Sequence, residues 1–147
     1  MIIVKKVQGK GRGVFATKII PPGTLLEVAP VSVIPAEEQA TLRGTDIFRY
    51  SFVQPVEYSQ SNEVKGYLVF GLASLCNHEE NPNSRVNWVE DEVGIWSHLV
   101  AQKEIQPDEE VTLFYTNIDE YCDINCHQFK QEKLGNNQAL SVAKENN

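Results

Sequence analysis

The amino-acid sequence predicts a single, mainly β domain. Its 147 residues are the length of one domain. The composition, with 41% hydrophobic and 22% charged residues, is typical of a globular protein, and the chain is long enough to bury one core. Short apolar segments rich in β-branched residues alternate with turns that contain glycine or proline. Many short strands at regular spacing, with no repeat and no linker, are typical of a compact β fold.

The first part of the chain is predicted to hold three strands and one short helix. The strands are residues 2–7, 14–17 and 24–34, and the first two are separated by a glycine turn at residues 9–13. Pro30 indicates an edge position or a bend in the third strand, because proline cannot donate to a neighbouring strand. Pro35 can open a short helix over residues 36–42.

The remainder is predicted to be strands joined by polar loops. Residues 45–53 are ambiguous, residues 54–66 resemble a loop, and residues 68–76 form a mostly buried segment. Further strands are expected at residues 86–89, 95–101 and 111–115. Residues 135–147 are rich in asparagine and lack periodicity, so we predict disorder there.

The charge of the chain favours a basic protein partner over nucleic acid. The net charge is −7, whereas phosphate contacts require clustered lysine and arginine. A lysine-rich tail would be attracted to such an acidic surface. No apolar run approaches the roughly 18 residues of a membrane helix, and the N-terminus does not resemble a signal peptide. We therefore expect an intracellular protein, cytoplasmic or nuclear, that does not bind a membrane.

The three cysteines are Cys76, Cys122 and Cys126. An odd, low count indicates a reducing compartment rather than a disulfide framework. Cys122, Cys126 and the adjacent His127 have a spacing that can bind zinc, but a four-ligand site would also need Cys76 to join them. Free thiols are the simpler interpretation, and we predict no metal.

A glycine-rich stretch near the N-terminus has two interpretations. Gly11, Gly13 and Ala16 match the spacing of a dinucleotide-binding fingerprint, but that motif must open a helix. Val14 and Phe15 favour a strand, and two prolines at positions 21 and 22 leave no room for a helix. The glycines then either form a hairpin or let a ligand approach the backbone.

Two further motifs are polar. Asn77-His78 follows the buried segment, and a polar turn through Pro82 and Asn83 comes next. Taken alone, the Asn-His pair is a weak signal, and the simplest interpretation of this stretch is a satisfied asparagine cap. Residues 105–115, IQPDEEVTLFY, are a turn that feeds a strand ending in Tyr115, which alone would suggest a buried tyrosine on an edge strand.

The order of these motifs resembles that of the SET domain family of protein lysine methyltransferases. The three motifs are GRGVFA, NHEENPN and DEEVTLFY, and the likeness runs from about residue 5 to about residue 121. The resemblance implies a mainly β fold of several small sheets with short helices and a knot-like C-terminal crossing. It also implies a SET domain at residues 1–121 and a short post-SET-like tail at residues 122–134. The shortness of the chain is similar to that of minimal viral and bacterial SET proteins.

The same resemblance implies a cofactor, S-adenosyl-L-methionine, and a lysine in a histone-like or other basic protein as substrate. The cofactor residues implied are Lys10, Gly11, Arg12, Gly13, Asn77 and His78. The implied catalytic residues are Tyr115, at the end of its strand, and Tyr50. Tyr121 and Phe114 are implied to line the lysine channel.

One departure from the family pattern keeps a second function open. The family usually has Ser-Cys after Asn-His, whereas this chain has Glu79-Glu80. The alternative to an active enzyme is a catalytically silent SET fold that binds a basic partner. Because minimal SET proteins can pair, the expected state is a monomer or a homodimer, although no long heptad pattern or large apolar face argues for a dimer here.

Overall fold

The computed structural model describes residues 1–61 and 63–121, and in this part of the chain the fold is mainly β with short helices, as predicted. Nine strands form two sheets. They are β1 (Ile2–Val7), β2 (Gly11–Ala16), β3 (Leu25–Ile34), β4 (Ser51–Phe52), β5 (Gly66–Val69), β6 (Asn77–His78), β7 (Ser84–Glu90), β8 (Ile95–Ala101) and β9 (Glu110–Leu113). The helices are α1 (Ala36–Thr41), α2 (Pro55–Gln60) and two 3-10 helices, Asp46–Tyr50 and Leu72–Leu75.

The smaller sheet has the strand order β1-β2-β9-β6, and the larger has the order β4-β5-β3-β8-β7. Within the smaller sheet β9 lies between strands that are distant in sequence. It pairs antiparallel with β2 and parallel with β6, where Asn77 is opposite Thr112. The C-terminal strand therefore lies directly beside the Asn77 segment and beside the glycine-rich strand.

Fully buried aliphatic side chains from both sheets and their connections form the core. Val14 of β2, Val111 of β9 and Leu99 of β8 contribute to it, and Ile20 and Ile105 join it from a bridge between two loops. Burying such side chains stabilises the fold by about 1.5–3 kcal/mol each. This core fixes the strands that carry the polar motifs.

Several local predictions were wrong. The glycine turn is shorter than expected, because Gly11 and Gly13 already pair with Val7 and Lys5 in the β1–β2 ladder. Pro30 lies in a central strand, at the position where the pairing of β3 changes from β8 to β5. Residues 54–66 include α2, which has proline in its first turn and no buried residue, so it lacks the apolar period that reveals a helix.

The chain divides into two compact units, and the boundary falls between Thr116 and Asn117. In the described part of the second unit, Asn117 Nδ2 donates to Glu120 Oε2 at 2.8 Å. The predicted domain end at residue 121 stays a prediction. The predicted tail at residues 122–134 and the predicted disorder at 135–147 lie outside the described residues. No helix within the described ranges is long and apolar enough to cross a membrane.

Candidate active site

Gly13 lies where β2 meets side chains from β6 and β9. An added Cβ would be 2.5 Å from Glu110 Oε1, 2.9 Å from Val7 Cγ2 and 3.0 Å from Asn77 Nδ2. At such distances an added side chain would force its neighbours, above all the Glu110 carboxylate, to shift, so glycine permits their close approach. The glycine motif therefore does more than form a hairpin, since it makes room for two polar side chains.

Asn77 links the glycine motif to the third motif. Its Nδ2 donates to the backbone carbonyl of Arg12 at 3.0 Å and to Glu110 Oε1 at 2.5 Å. These contacts span 65 and 33 residues of sequence. The three motifs that were separate in the sequence converge at this one amide.

His78 holds the segment that follows β9. Its Nδ1 accepts a hydrogen bond from the backbone N–H of Tyr115 at 3.0 Å, so this nitrogen carries no proton. The imidazole centroid lies 5.3 Å from the ring of Phe114 and 5.3 Å from that of Tyr115. The histidine thereby fixes the backbone at Tyr115 and packs against two aromatic rings.

Tyr115 is held as a neutral phenol. Its hydroxyl donates to the carbonyl of Cys76 at 2.6 Å, directly before the Asn77-His78 pair. Burial raises the pKa of Tyr115 well above its ordinary value, and charge interactions with Cys76, Glu110 and Tyr50 raise it further. At neutral pH this hydroxyl can orient a neighbouring group, but it is not a base.

The segment before Asn77 is held by a carboxylate from the larger sheet. Glu27 of β3 accepts hydrogen bonds from the N–H groups of Leu72 at 2.8 Å and Ala73 at 3.1 Å. These N–H groups begin a 3-10 helix and have no partner within it. Burial, followed by the charges of Glu27 and Glu110, raises the pKa of the Cys76 thiol, which therefore stays protonated at neutral pH.

The polar turn after His78 joins β9 to its surroundings. Asn83 is 7% exposed; its Nδ2 donates to the Glu110 carbonyl at 2.8 Å, and its Oδ1 accepts from the Thr112 N–H at 2.9 Å. Asn83 is thus a link between β9 and the turn. Glu79 and Glu80 are exposed, so the departure from the family motif faces solvent.

The structure brings together most of the predicted site. The contacts above connect Arg12, Gly13, Asn77, His78 and Tyr115. Phe114, which is 54% exposed, packs against His78 with its ring tilted. Lys10 and Gly11 are exposed at the start of β2. Tyr50 is 36% exposed at the end of its 3-10 helix, and its charge contributes to the raised pKa of Tyr115. Tyr121 belongs to the second unit, so its channel role stays a prediction.

Sequence reasoning missed three contributors: the Glu110 carboxylate, the Cys76 carbonyl and Glu27. Glu110 was visible only as one member of an acidic cluster. The burial pattern of β9 places Val111 and Leu113 in the core and Glu110 on the other face. Strand alternation predicts that orientation, but only the tertiary fold brings Asn77 to this face.

The described residues contain no group of histidine, cysteine, aspartate and glutamate side chains suited to hold a metal ion. Cys122, Cys126 and His127, whose spacing raised the question of zinc, lie outside the described ranges.

Comparison with known proteins agrees with this geometry. The SET domain family matches residues 11–116. A histone-lysine N-methyltransferase of Schizosaccharomyces pombe, specific for H3 lysine-37, is 32% identical over 112 residues, covering 76% of this chain and 71% of the relative.

Two solved structures share the fold at low identity. A Plasmodium falciparum protein is 24% identical with a TM-score of 0.60, over 78% of this chain and 96% of its own. The Neurospora SET domain protein DIM-5, a histone lysine methyltransferase, is 22% identical with a TM-score of 0.58, over 79% of this chain and 52% of its own. With the family match and the fission yeast relative, the conclusion is that this chain belongs to the SET domain family.

Proposed function

We propose that this protein transfers a methyl group from S-adenosylmethionine to the side-chain amine of a lysine in a basic protein. The observation that carries the proposal is the Tyr115 hydroxyl, which is bonded to the Cys76 carbonyl beside the Asn77-His78 pair. The fission yeast relative is a histone H3 lysine-37 methyltransferase. Its identity supports lysine methylation here, and a histone-like substrate would place the activity inside the cell.

The residues present suit a cationic cofactor. When bound, S-adenosylmethionine supplies an activated methyl group on a positively charged sulfur, next to an amino acid part with an ammonium. The chain offers oxygen acceptors at this place, since Asn77 lies within hydrogen-bond distance of the Arg12 carbonyl and the Glu110 carboxylate. The exposed backbone at residues 10–12 is open to contact. We propose that Lys10, Gly11, Arg12, Gly13, Asn77 and His78 form the cofactor site.

Lysine must lose a proton before it can accept a methyl group. A lysine with the ordinary pKa of about 10.4 is almost fully charged near pH 7.4, and removing its proton costs about 4 kcal/mol. A neighbouring positive charge and an apolar channel both disfavour the ammonium and lower that cost. Tyr115, whose pKa is raised, then orients the neutral amine and contributes through alignment and electrostatics.

The surface charge favours a basic substrate segment. The chain carries 20 acidic and 13 basic residues, and exposed acidic pairs include Glu79-Glu80 in the turn that follows the site. We propose that a lysine-rich segment binds near this turn as an extended strand. Tyr50 is the proposed second catalytic tyrosine, and Phe114 is proposed to line the channel for the substrate lysine. The channel role of Tyr121 stays a prediction. Both a monomer and a homodimer are compatible with this proposal.

Cofactor binding and methyl transfer are tested with paired variants. Calorimetry with S-adenosylmethionine compares the wild type with Asn77→Ala, and exposed Asn87→Ala on β7 is the control. Methyl transfer to histone H3 and to a lysine-rich peptide is followed by mass spectrometry for Tyr115→Phe, with Tyr67→Phe as the matched tyrosine control. We expect Asn77→Ala to lose binding. We expect Tyr115→Phe to keep binding while its rate falls by about 10²-fold or more.

Other outcomes would select another function. If the folded wild type binds no S-adenosylmethionine, either alone or with the basic peptide, the result contradicts the proposed methyltransferase activity. Cofactor binding without turnover on any lysine-containing protein would favour the silent module that binds a basic partner. An unchanged rate in Tyr115→Phe would remove the proposed role of that residue.

A further inference from the structure

The orientation of the Asn77 side-chain amide is determined by its neighbours. The two atoms that face it are the Arg12 carbonyl oxygen at 3.0 Å and Glu110 Oε1 at 2.5 Å. A carbonyl and a carboxylate only accept hydrogen bonds. The Asn77 atom that faces both must therefore be the NH₂ group, and the amide cannot turn over without losing two hydrogen bonds.

The fixed amide leaves its oxygen for a ligand. Asn77 Oδ1 makes no hydrogen bond within the described part of the chain, and it is not among the buried polar atoms that lack a partner. An accessible amide oxygen accepts hydrogen bonds but does not donate them. The ligand group that it takes must be a donor, and an ammonium is the strongest candidate.

We propose that Glu110 is a positioning residue that fixes the Asn77 amide, so that Oδ1 accepts a hydrogen bond from the ammonium of the cofactor's amino acid part. This inference rests on the proposed function. Glu110 acts through Asn77 and is not itself a contact of the reacting atoms. It therefore determines affinity for the amino acid part of the ligand and not for its adenosine.

The backbone around Glu110 is built to hold this carboxylate in place. Glu110 pairs with Phe15 of β2, and its carbonyl accepts a hydrogen bond from buried Asn83 at 2.8 Å. A Cβ on Gly13 would lie 2.5 Å from Glu110 Oε1, so the glycine is what admits the carboxylate. Three separate features thus fix the acceptor that orients Asn77.

The test uses Glu110→Gln, which keeps the size of the side chain and removes its charge. A glutamine presents either a carbonyl or an NH₂ group, so only the Arg12 carbonyl still fixes the orientation of the Asn77 amide in this variant. Glu109→Gln is the matched control on the neighbouring residue, since Glu109 Oε1 accepts from Asn83 and not from Asn77. Calorimetry measures two ligands on each protein: S-adenosylhomocysteine, which has the ammonium, and 5′-methylthioadenosine, which lacks it.

We expect Glu110→Gln to lower the affinity for S-adenosylhomocysteine about tenfold and to leave the affinity for 5′-methylthioadenosine unchanged. Neither ligand carries a sulfonium. A direct effect of the carboxylate on that charge therefore does not enter the ratio of the two affinities. Glu109→Gln should keep the wild-type ratio. If Glu110→Gln does not fold, Glu110→Asp withdraws the carboxylate by one methylene and should shift the ratio in the same direction.

The remaining outcomes separate this inference from the proposed function. Equal weakening of both ligands, or no weakening of either, overturns the role of Glu110 and leaves the cofactor site standing. A wild type that binds neither S-adenosylmethionine nor S-adenosylhomocysteine overturns the proposed function and this inference with it.

Discussion

At the scale of single residues, the site depends on polar groups held in one state. His78 Nδ1 is an acceptor because the Tyr115 N–H donates to it, and Tyr115 stays neutral because burial raises its pKa. Tyr67, outside the site, behaves similarly: burial and then the hydrogen bond and charge of Glu57 raise its pKa to about 12. These tyrosines bind a proton more tightly in the folded chain than in the unfolded one.

The raised pKa of Tyr67 predicts that this residue contributes to a loss of stability in alkaline solution. The unfolded chain releases the Tyr67 proton near pH 10, while the folded chain keeps it to about pH 12. The contribution is therefore fully present below about pH 10 and is lost as the pH rises through about 12. Tyr67→Phe should lower stability at neutral pH, since its hydroxyl donates to Glu57 at 2.8 Å, but the gap to the wild type should narrow above about pH 10.

Urea unfolding of the two proteins from about pH 8 to about pH 11.5 checks this prediction. Between about pH 8 and 9 the difference in the free energy of unfolding should be constant, and this range serves as the internal control. If the difference in the free energy of unfolding between the two proteins stayed constant over the whole pH range, the result would contradict a raised pKa for Tyr67.

At the scale of elements, short segments are held by side chains from distant parts of the sequence. The 3-10 helix at Leu72–Leu75 has its first N–H groups bound by Glu27, 45 and 46 residues away. Strand β9 is held to the polar turn by Asn83. The two-residue strand β6 is positioned between these anchors, so its stability depends on them more than on its own ladder.

Asn83→Ala should destabilise the fold by about 2–3 kcal/mol. The substitution leaves the Thr112 N–H and the Glu110 carbonyl without their Asn83 partner in a largely buried place. Asn87→Ala, on the exposed face of β7, should change stability by less than about 0.5 kcal/mol. Chemical denaturation of the three proteins measures both. A change in Asn83→Ala as small as that of the control would show that the turn does not anchor β9.

At the scale of the whole molecule, charge is distributed unevenly. The net charge is −7, yet residues 1–18 contain five basic residues and no acidic one. Acidic residues cluster in the turns after β6, β7 and β8. A potential of this kind attracts a basic segment before contact and weakens with salt, because the screening length is about 10 Å at about 0.1 M.

On the proposed function, salt should therefore raise KM for a lysine-rich peptide and leave kcat nearly unchanged. Raising the salt from about 0.05 to about 0.5 M should increase KM several-fold. A peptide with the same target lysine but neutral flanking residues is the control and should show a much smaller change. Steady-state rates for the two peptides measure this, and an equal salt response would show that surface charge does not guide the substrate.

Local sequence patterns predicted the strands that pack on the core. The β-branched runs at β1, β3 and β8 and the pairing of β7 with β8 follow from alternation and apolar content, which are properties of neighbouring residues. Helix α2 was missed because a helix without a buried residue carries no apolar period. Pro30 was expected at an edge or a bend. The change of partners along β3 depends on strands 38 and 66 residues away in sequence, as the pairs Val31–Val69 and Pro30–Trp96 indicate.

The sequence by itself determined the class of fold, the family and the residue types of the site, because the order of the three motifs is a property of the chain alone. Tertiary structure decided which atoms meet. That Asn77 Nδ2 lies between the Arg12 carbonyl and Glu110, and that the Tyr115 hydroxyl reaches the Cys76 carbonyl, depends on β9 entering between β2 and β6. Contacts across such distances arise from strand pairing and core packing, and no local pattern contains them.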